Sequence, residues 1–162
     1  MADQLTRGLV AKVLTVSDGV IHRTREDRSG VALGEFLTEA GFEVAEHRCV
    51  EDGVDSVADA LSEMCQGFSG LVVSTGGTGF GPRDLTPEGT AKVLERVAPG
   101  LSEAMRLVNP LGRLSRGIAG TRGTALVLNT PGSTKGCVET LSAVIDVVPH
   151  ALRLMAAEPT DH

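Results

Sequence analysis

The stretch GLVVSTGGTGFGPRD, residues 70–84, predicts a buried β-strand that runs directly into a glycine-rich loop. Gly70 to Thr75 is a continuous strand-like run of the kind found in the middle of a parallel sheet. Glycines in the loop allow positive φ and close approach by a ligand, and free N–H groups near the start of the next helix attract anions. Ligands of open α/β sheets bind in the crevice at the carboxyl ends of the strands. The stretch therefore predicts an α/β protein with a binding site in this loop.

The loop, Gly76 to Asp84, does not match two common phosphate-binding motifs. It lacks the GxxxxGK[ST] pattern of a Walker loop, and Pro82 stands where the dinucleotide-binding pattern GxGxxG has its last glycine. A flexible surface loop is the alternative interpretation. Over residues 74–84, four glycines, two threonines and the pair Arg83-Asp84 at the end of a buried strand favour the binding site.

Outward from this stretch, apolar strands alternate with amphipathic helical segments on both sides. The elements predicted before it are a strand over 9–16, a helix capped by Ser29 and closed by Gly41, a strand over 42–50 and a helix capped by Asp52. The elements predicted after it are a helix opened by Thr86 and stopped at Pro99-Gly100, a helix over 101–108, two strands within 117–128 around Arg122-Gly123, and a helix over 138–155 bent near Pro149.

This alternation predicts an α/β architecture with parallel pairing, because each strand–helix–strand unit provides the crossover that parallel strands need. The 162 residues favour one compact domain. We expect this domain to span residues 7–157, with frayed termini at 1–6 and 158–162.

The composition argues against nucleic acid and membranes as partners. A net charge of −6 repels phosphate backbones, and aromatic residues, at 2%, are too few for base-stacking platforms. No uninterrupted apolar run exceeds four residues, so no segment predicts a membrane span. Residues 1–12 lack the charged start and apolar stretch of a secretory signal, and we expect a cytoplasmic protein.

The cysteines and histidines are scattered along the chain. Cys49, Cys65 and Cys137 form no CxxC pair, and the four histidines show no ligand spacing with them or with one another. The pattern predicts buried thiols that pack as small hydrophobes. It predicts neither a disulfide framework nor a transition-metal site.

A second polar loop, NTPGSTKG at residues 129–136, also lies between a buried strand and a helix. Ser133, Thr134 and Lys135 would bring hydroxyl donors and a cation to a helix N-terminus, an arrangement that suits phosphate. A simple Pro-Gly turn explains the segment equally well. A similar pair of alternatives, ligand binding or a solvated surface position, applies to three arginines just upstream: Arg113, Arg116 and Arg122.

Two carboxylates follow predicted strands and belong on the ligand-facing edge. Asp52 follows the second strand, and Asp84 follows the glycine-rich loop. Because Mg²⁺ is bound by one or two carboxylates together with substrate phosphates, the pair predicts a magnesium anchor. For Asp52 an N-cap role is the alternative, and one side chain can do both. The sequence indicates no Ser-His-Asp set and no Cys–His pair, which leaves positioning and electrostatics on a phosphate as the chemistry.

Residues 75–88, TGGTGFGPRDLTPE, resemble the TGGTG…RDxTPE signature of the molybdopterin-binding family. Further matching segments follow in order: 14–18, 26–30, 114–116 and 128–136. The resemblance covers about residues 8–156 and implies a three-layer α/β/α domain with a mostly parallel central sheet, usually as a homotrimer. The predicted helices over 87–108 suit a trimer interface and a monomer core equally.

The resemblance also implies an activity. The family includes bacterial enzymes that use ATP and Mg²⁺ to adenylylate molybdopterin, releasing pyrophosphate and passing molybdopterin-AMP on to a molybdate-inserting partner. Asp84 and Asp52 match the two catalytic aspartates and would bind Mg²⁺. The positions implied to bind substrate or nucleotide are Ser17, Asp18, Thr75, Gly76, Gly77, Thr78, Gly79, Ser115, Arg116, Pro131, Gly132, Ser133 and Lys135.

This chain departs from the family pattern at two positions. Glu51 stands where the family has a proline before its aspartate, which leaves room for an altered metal site, and Thr130 replaces an apolar residue before Pro131-Gly132. Two other functions stay open on the sequence. One is a paralogue that binds molybdopterin without efficient adenylylation, and the other is a non-catalytic assembly protein of the same fold.

Overall fold

The computed structural model describes residues 9–157, so the predicted frayed termini, 1–6 and 158–162, lie outside the described residues. Within this range six strands form one sheet: β1 (Val10–Val16), β2 (Glu43–Val50), β3 (Gly70–Thr75), β4 (Arg96–Val97), β5 (Ala119–Arg122) and β6 (Ala125–Thr130). The α-helices of the same range are α1 (Asp18–Ile21), α2 (Arg28–Glu39), α3 (Val54–Cys65), α4 (Thr86–Val93), α5 (Pro99–Arg106), α6 (Thr134–Ser142) and α7 (Val148–Met155). A 3₁₀ helix spans Pro110–Leu114.

The sheet is parallel over four strands and antiparallel at one edge. Its order is β2-β1-β3-β6-β5-β4, with parallel pairing from β2 to β6 and antiparallel pairing in the β6–β5 and β5–β4 pairs. A tight turn at Gly123, whose φ is +58°, joins β5 to β6, and so short a connection permits only antiparallel pairing. The mostly parallel sheet and the two strands around Arg122-Gly123 are confirmed.

Helices cover both faces of the sheet, which is why its central strands are buried throughout. On one face Val13 and Val73 pack with residues of α2, α6 and α7, and on the other Leu14 and Val72 pack with residues of α3 and α4. Every residue of β3 and β6 is buried. Successive strand residues point to opposite faces, so each of these strands supplies both cores. The predicted three-layer α/β/α fold is confirmed.

Helix α2 ends as predicted but begins with a different cap. Gly41, with a φ of +92°, follows its last turn, as expected for a helix closed by glycine. At the other end the cap is Asp27, whose carboxylate accepts a hydrogen bond from the Gly30 N–H at 3.0 Å. The prediction of Ser29 as the cap is therefore wrong, because an aspartate two residues earlier already satisfies the first turn.

Two further predicted caps are wrong because their side chains are engaged elsewhere. Helix α3 follows Gly53 without a side-chain cap, and the Asp52 carboxylate accepts instead from the Asp18 N–H at 3.0 Å. Thr86 lies inside the first turn of α4, and its hydroxyl donates to the Gly76 carbonyl at 2.9 Å. In both cases the side chain predicted to cap the helix forms a hydrogen bond with a segment distant in sequence instead.

The C-terminal segment forms two helices, α6 and α7, where one bent helix over 138–155 was predicted. Pro149 has no N–H, and in a continuous helix its ring would clash with the carbonyl of Ile145, but it fits the first turn of α7. Helix α6 also begins earlier than predicted, because Ser133 caps it by accepting from the Gly136 N–H at 3.0 Å.

The predictions were also wrong around Pro99 and after β1. Pro99 opens α5 instead of stopping the preceding helix, which already ends at Val93, and the short edge strand β4 lies between them. The four-residue helix α1 lies in a segment predicted as loop, and the Ser17 hydroxyl caps it by accepting from the Val20 N–H. No helix in the described part of the chain is long and apolar enough to cross a membrane.

Candidate active site

A cleft of about 1190 Å³ lies at the carboxyl ends of the parallel strands. The residues that line it include Ser17 after β1, Asp52 after β2, Gly76 after β3 and Pro131 after β6. Because these four strands are parallel, their carboxyl ends meet at one edge of the sheet. This cleft therefore lies at the edge that the sequence predicted for ligand binding.

Most of the predicted site residues line this cleft. They are Ser17, Asp52, Thr75, Gly76, Gly77, Thr78, Gly79, Asp84, Ser115, Pro131, Gly132, Ser133 and Lys135. Two predicted residues, Asp18 and Arg116, do not line the cleft and bind other parts of the protein.

The glycine-rich loop has a conformation that glycine accommodates and larger residues do not. Gly76 and Gly77 have φ angles of +100° and +69°. A Cβ on Gly77 would clash with the Thr86 hydroxyl and would lie 3.1 Å from an Asp52 carboxylate oxygen. The Thr86 N–H donates to the Gly77 carbonyl at 3.0 Å. The loop backbone is thereby held against the start of α4 and against Asp52.

The two polar loops are bound to each other. The Thr75 hydroxyl donates to the Pro131 carbonyl at 2.8 Å, and the Gly76 N–H donates to the Thr130 carbonyl at 3.2 Å. A Cβ on Gly132 would lie 3.4 Å from the Gly76 Cα, so the two backbones are nearly in contact. The segment 129–136 is a turn, as one interpretation had it, but this turn forms a single wall with the glycine-rich loop.

Ser133 and Lys135 lie at the N-terminus of α6, where it meets the cleft. Ser133 caps the helix, and the Lys135 side chain is 86% exposed with its Nζ 3.5 Å from a Glu139 carboxylate oxygen. The first turn of a helix carries partial positive charge and free N–H groups. This end of the cleft therefore offers an exposed cation and a helix N-terminus to an anion.

Arg116 binds the main chain of the glycine-rich loop. Its Nε donates to the Gly79 carbonyl at 2.8 Å, and its Nη2 donates to the Asp84 carbonyl at 2.5 Å. Its Nη1 forms a salt bridge with the Glu88 carboxylate at 2.8 Å. Because each guanidinium nitrogen has an acceptor within the protein, Arg116 positions this loop and Asp84.

The other two arginines also donate to main-chain carbonyls. Arg122 donates to the Val93 carbonyl at 2.9 Å, and Arg113 donates to the Pro110 carbonyl at 3.0 Å. Neither side chain lines the cleft formed by the described residues. Arg113 is exposed, as the surface interpretation had it, whereas Arg122 is half-buried and binds the main chain, which neither interpretation specified.

Asp52 and Asp18 face each other at the ends of β2 and β1. Each carboxylate accepts the other residue's backbone N–H at 3.0 Å. Arg83 donates to both carboxylate oxygens of Asp18, at 2.6 and 3.1 Å, and to the Asp52 carbonyl at 2.8 Å. Sequence reasoning missed Arg83 as a site residue, although it stands beside Asp84 in the signature. Its bidentate contact explains why Asp18 does not line the cleft.

These contacts shift the pKa values of the two aspartates in opposite directions. Burial raises the pKa of Asp52, and the negative charges of Asp18 and Asp84 raise it further, against the lowering effects of the Asp18 N–H and Arg83. The hydrogen bond from Arg83 holds the pKa of Asp18 below its usual value. Asp18 is therefore paired within the protein, whereas the negative charge of Asp52 is incompletely compensated.

The far wall of the cleft was not predicted in full. It is built by the loop before α2 and by the segment from α5 through the 3₁₀ helix, and its polar members include Thr24, Arg25, Arg28, Arg106 and Asn109. The family-like segment 26–30 pointed to part of this wall. The sequence did not predict the rest of this wall. The polar residues of a short amphipathic helix have the same spacing whether they face a cleft or bulk solvent.

Residues 12–150 match the family described as "Probable molybdopterin binding domain". Molybdopterin adenylyltransferase from Helicobacter pylori strain J99 is 39% identical over 150 residues, covering 88% of this chain and 85% of the relative. Molybdopterin adenylyltransferase from Escherichia coli K12 is 37% identical over 152 residues, covering 86% and 77%. The crystal structure of the molybdopterin biosynthesis enzyme MoaB from Thermus thermophilus matches with a TM-score of 0.87 and 43% identity, covering 94% of this chain and 99% of that one.

The fold, the cleft and these similarities define the class of protein: the chain belongs to the molybdopterin-binding family of molybdenum cofactor biosynthesis. The resemblance that residues 75–88 indicated is confirmed. The predicted enzyme class, nucleotidyltransferase, is the class of the relatives named molybdopterin adenylyltransferase.

Proposed function

We propose that this chain transfers the AMP group of ATP to molybdopterin and releases pyrophosphate. The observation that carries the proposal is that Asp52 and Asp84 share one cleft with two mutually bonded loops, 75–79 and 130–135. The names of the relatives support molybdopterin as the acceptor. Carboxylates that can hold a cation, next to backbone that can bind anions, meet the electrostatic needs of transfer between phosphates.

Mg²⁺ fits the donor set at the carboxylate pair. Asp52 and Asp84 offer hard oxygen ligands, and both residues line the same cleft. When bound, Mg²⁺ would neutralise charge on the substrate phosphates. Asp52 and Asp84 would hold the ion, and Asp18, already paired with Arg83, would keep Asp52 in position.

In the proposed reaction a phosphate oxygen of molybdopterin forms a bond to the α-phosphorus of ATP. The bond from that phosphorus to the β-phosphate oxygen breaks, and pyrophosphate leaves. The loop Gly76 to Gly79 would bind nucleotide phosphates through its backbone, and Ser133 with Lys135 would hold the pterin phosphate at the N-terminus of α6. Holding both phosphates in one cleft supplies the proximity and alignment that the transfer requires.

A pyrophosphate-release assay with purified protein, ATP and molybdopterin tests this function. We expect release that needs all three components and Mg²⁺, with molybdopterin-AMP identified by mass spectrometry. Tight molybdopterin binding without pyrophosphate release would instead support a pterin-binding paralogue. Absence of pterin binding would support a non-catalytic assembly protein.

We also propose that the chain acts in the cytoplasm as a homotrimer and passes its product to a molybdate-inserting partner. Leu107, Leu111 and Leu114, close together in sequence, are 79%, 72% and 53% exposed, and the last two also line the cleft. Exposed apolar residues favour association. Sedimentation velocity should give three times the chain mass, and Leu111→Glu should reduce it. A monomeric wild type would contradict the trimer.

A further inference from the structure

Outside the proposed magnesium site, Asp27, His47 and Cys49 bring together an oxygen, a nitrogen and a sulfur donor, all within 4.8 Å of one another. His47 and Cys49 alternate along β2, so both point to the side of the sheet covered by α2. Asp27 immediately precedes α2, and its carboxylate contacts both of these side chains. The His47 Nε2 lies 2.8 Å from the Asp27 Oδ2, and the Cys49 Sγ lies 3.5 Å from the same oxygen.

The two oxygens of Asp27 have separate tasks. Its Oδ1 caps α2 by accepting from the Gly30 N–H, and its Oδ2 faces His47 and Cys49. The Thr15 hydroxyl, on the adjacent strand β1, donates to the same carboxylate at 3.0 Å. A bond from such an outer partner fixes the orientation of a ligating carboxylate. Asp27 can therefore bind a metal ion through Oδ2 while Oδ1 continues to cap α2.

Gly30 provides the space at this cluster. A Cβ at this position would clash with Thr15, Asp27 and His47 together, so any other residue would fill the hollow between them. The His47 side chain is 33% exposed, and its ring borders a surface hollow lined also by Gly34 of α2. Solvent thus reaches the cluster at His47, the one of the three donors that borders this hollow.

We propose that Asp27, His47 and Cys49 form a binding site for one zinc-type divalent ion, with a fourth position open to water. Thiolate, imidazole and carboxylate are the ligands that zinc accepts, whereas Mg²⁺ requires oxygen ligands. With the usual zinc–ligand lengths, tetrahedral geometry places an oxygen and a sulfur ligand about 3.6 Å apart and an oxygen and a nitrogen ligand about 3.4 Å apart. The Asp27–Cys49 distance of 3.5 Å already fits, and the partly exposed His47 ring has to move outward by only about half an ångström.

The Asp27 carboxylate gives the cluster a negative charge that favours a cation. In the free protein the Cys49 thiol donates to this carboxylate, so its proton has to leave before the sulfur can bind a metal. On binding, the S–H bond breaks, a sulfur–metal bond forms, and the proton passes to the buffer. The ion would join β2 to the start of α2. Since Asp27 and the residues before it line the cleft, the ion would also hold that wall in place.

Calorimetric titration of Zn²⁺ into the reduced protein tests the site, with excess Mg²⁺ present throughout to occupy the cleft carboxylates. We expect one ion per chain and one proton released, measured by repeating the titration in buffers of different ionisation enthalpy. Cys49→Ser and His47→Gln should each weaken binding by about 100-fold or more, beyond the usual loss for an outer partner. Cys65→Ala and His22→Gln, which remove a thiol and an imidazole elsewhere, should bind as wild type does.

Co²⁺ provides a readout specific to sulfur. The wild type should show a thiolate-to-cobalt charge-transfer band that Cys49→Ser lacks, and Zn²⁺ should raise the Tm of the wild type but not of either site variant. The Tm of each variant without metal shows whether it folds, and His47→Gln, at a partly exposed ring, gives a second route if Cys49→Ser does not. Equal Zn²⁺ affinity in wild type and either site variant, or no stoichiometric binding, would leave the cluster as a hydrogen-bond network only and overturn the proposal.

Discussion

The carboxylates of Asp18 and Asp52 each accept the backbone N–H of the other, at 3.0 Å in both directions. Because these residues follow the neighbouring parallel strands β1 and β2, the reciprocal pair fastens two strand ends together. Arg83 then joins the pair to the glycine-rich loop by binding Asp18 and the Asp52 carbonyl. Three segments far apart in sequence thereby set the position of one carboxylate in the cleft.

Asp84→Asn should remove most adenylylation and leave the fold intact. The amide oxygen can still accept from the Gly81 N–H, which the Asp84 carboxylate binds at 2.8 Å, but the charge that would hold Mg²⁺ is gone. Losing such a group lowers the rate by about 100-fold or more. Pyrophosphate release measures the rate, and Asp55→Asn, at an exposed aspartate paired with Lys92, is the matched control. Wild-type turnover in a folded Asp84→Asn protein would remove this residue from the mechanism.

Asp52→Asn should stabilise the protein when no divalent ion is present. Burial raises the pKa of Asp52 above its unfolded value, so its ionised form costs stability at neutral pH, and this cost disappears as pH falls through the raised pKa. Asparagine removes the cost and can still accept the Asp18 N–H. Thermal melts in EDTA should give a higher Tm than wild type at neutral pH, with the gap closing in acid.

Magnesium titration of the same Asp52 variant then tests the metal role. Mg²⁺ should raise the Tm of the wild type more than that of Asp52→Asn, because an ion bound by the carboxylate stabilises only the protein that holds the charge. Identical Mg²⁺ responses would show that Asp52 does not bind the ion.

Arg83→Gln should change how the free energy of unfolding depends on pH in the acid range. Arg83 lowers the pKa of Asp18, so the pair contributes stability above the usual aspartate pKa of about 3.9, and this contribution is lost as pH falls through the lowered value. The variant should be only slightly less stable than wild type at neutral pH, because the pair is exposed and solvent screens it. Urea melts across this pH range should show the difference vanishing in acid. A difference that is constant with pH would mean that the Arg83–Asp18 contact is not its source.

Lys135→Ala should weaken pterin binding more than it changes kcat. The lysine lies at a helix N-terminus and can hold a phosphate present in both ground and transition states, which affects affinity and leaves kcat nearly unchanged. We expect Kd for molybdopterin to rise about fivefold at low salt and the effect to shrink at high salt. Lys92→Ala, at another exposed lysine, is the control. Equal dissociation constants at low salt would place Lys135 outside the site.

Gly77→Ala and Gly34→Ala should act in opposite directions. At Gly77 the φ of +69° costs an alanine about 1–2 kcal/mol, and its Cβ would clash with Thr86 beside Asp52. At Gly34, inside α2, a Cβ meets no atom within 4 Å, so alanine should stabilise by about 0.5–1 kcal/mol. Urea denaturation measures both, and pyrophosphate release should fall only in Gly77→Ala. Normal activity in that variant would contradict the close approach of loop and carboxylate.

The fold was predictable because strand-like runs, helical periodicity and terminal glycines agree along the chain. The run Gly70–Thr75 indicated a buried parallel strand, and the pair Arg122-Gly123 indicated two neighbouring strands, whose antiparallel pairing the sequence analysis did not predict. Helix caps were less predictable, since Asp27 and Ser29 are both good caps and local sequence does not choose between them. In the structure Asp27 is the cap, and it also contacts Thr15 of β1 and His47 of β2.

The site was predictable where its residues follow strands, and not where distant side chains meet. Asp52, Asp84 and the two loops could be placed at one edge from topology alone. The fixed role of Arg116 depends on three acceptors that only the tertiary structure brings within reach. The grouping of His47 and Cys49 with Asp27 likewise has only a faint local signal, namely their alternation along one strand.

The β5–β6 turn has a practical use. Strand β6 runs from Ala125 to Thr130 toward the cleft, so Gly123 lies at the end of this strand that is away from the cleft. Six residues of strand separate the two ends by roughly 20 Å. A Cβ at Gly123 would meet no atom within 4 Å. A fluorophore or a tether to a solid support attached at this hairpin would therefore leave the cleft open, so single molecules could be watched while they take up and release substrate.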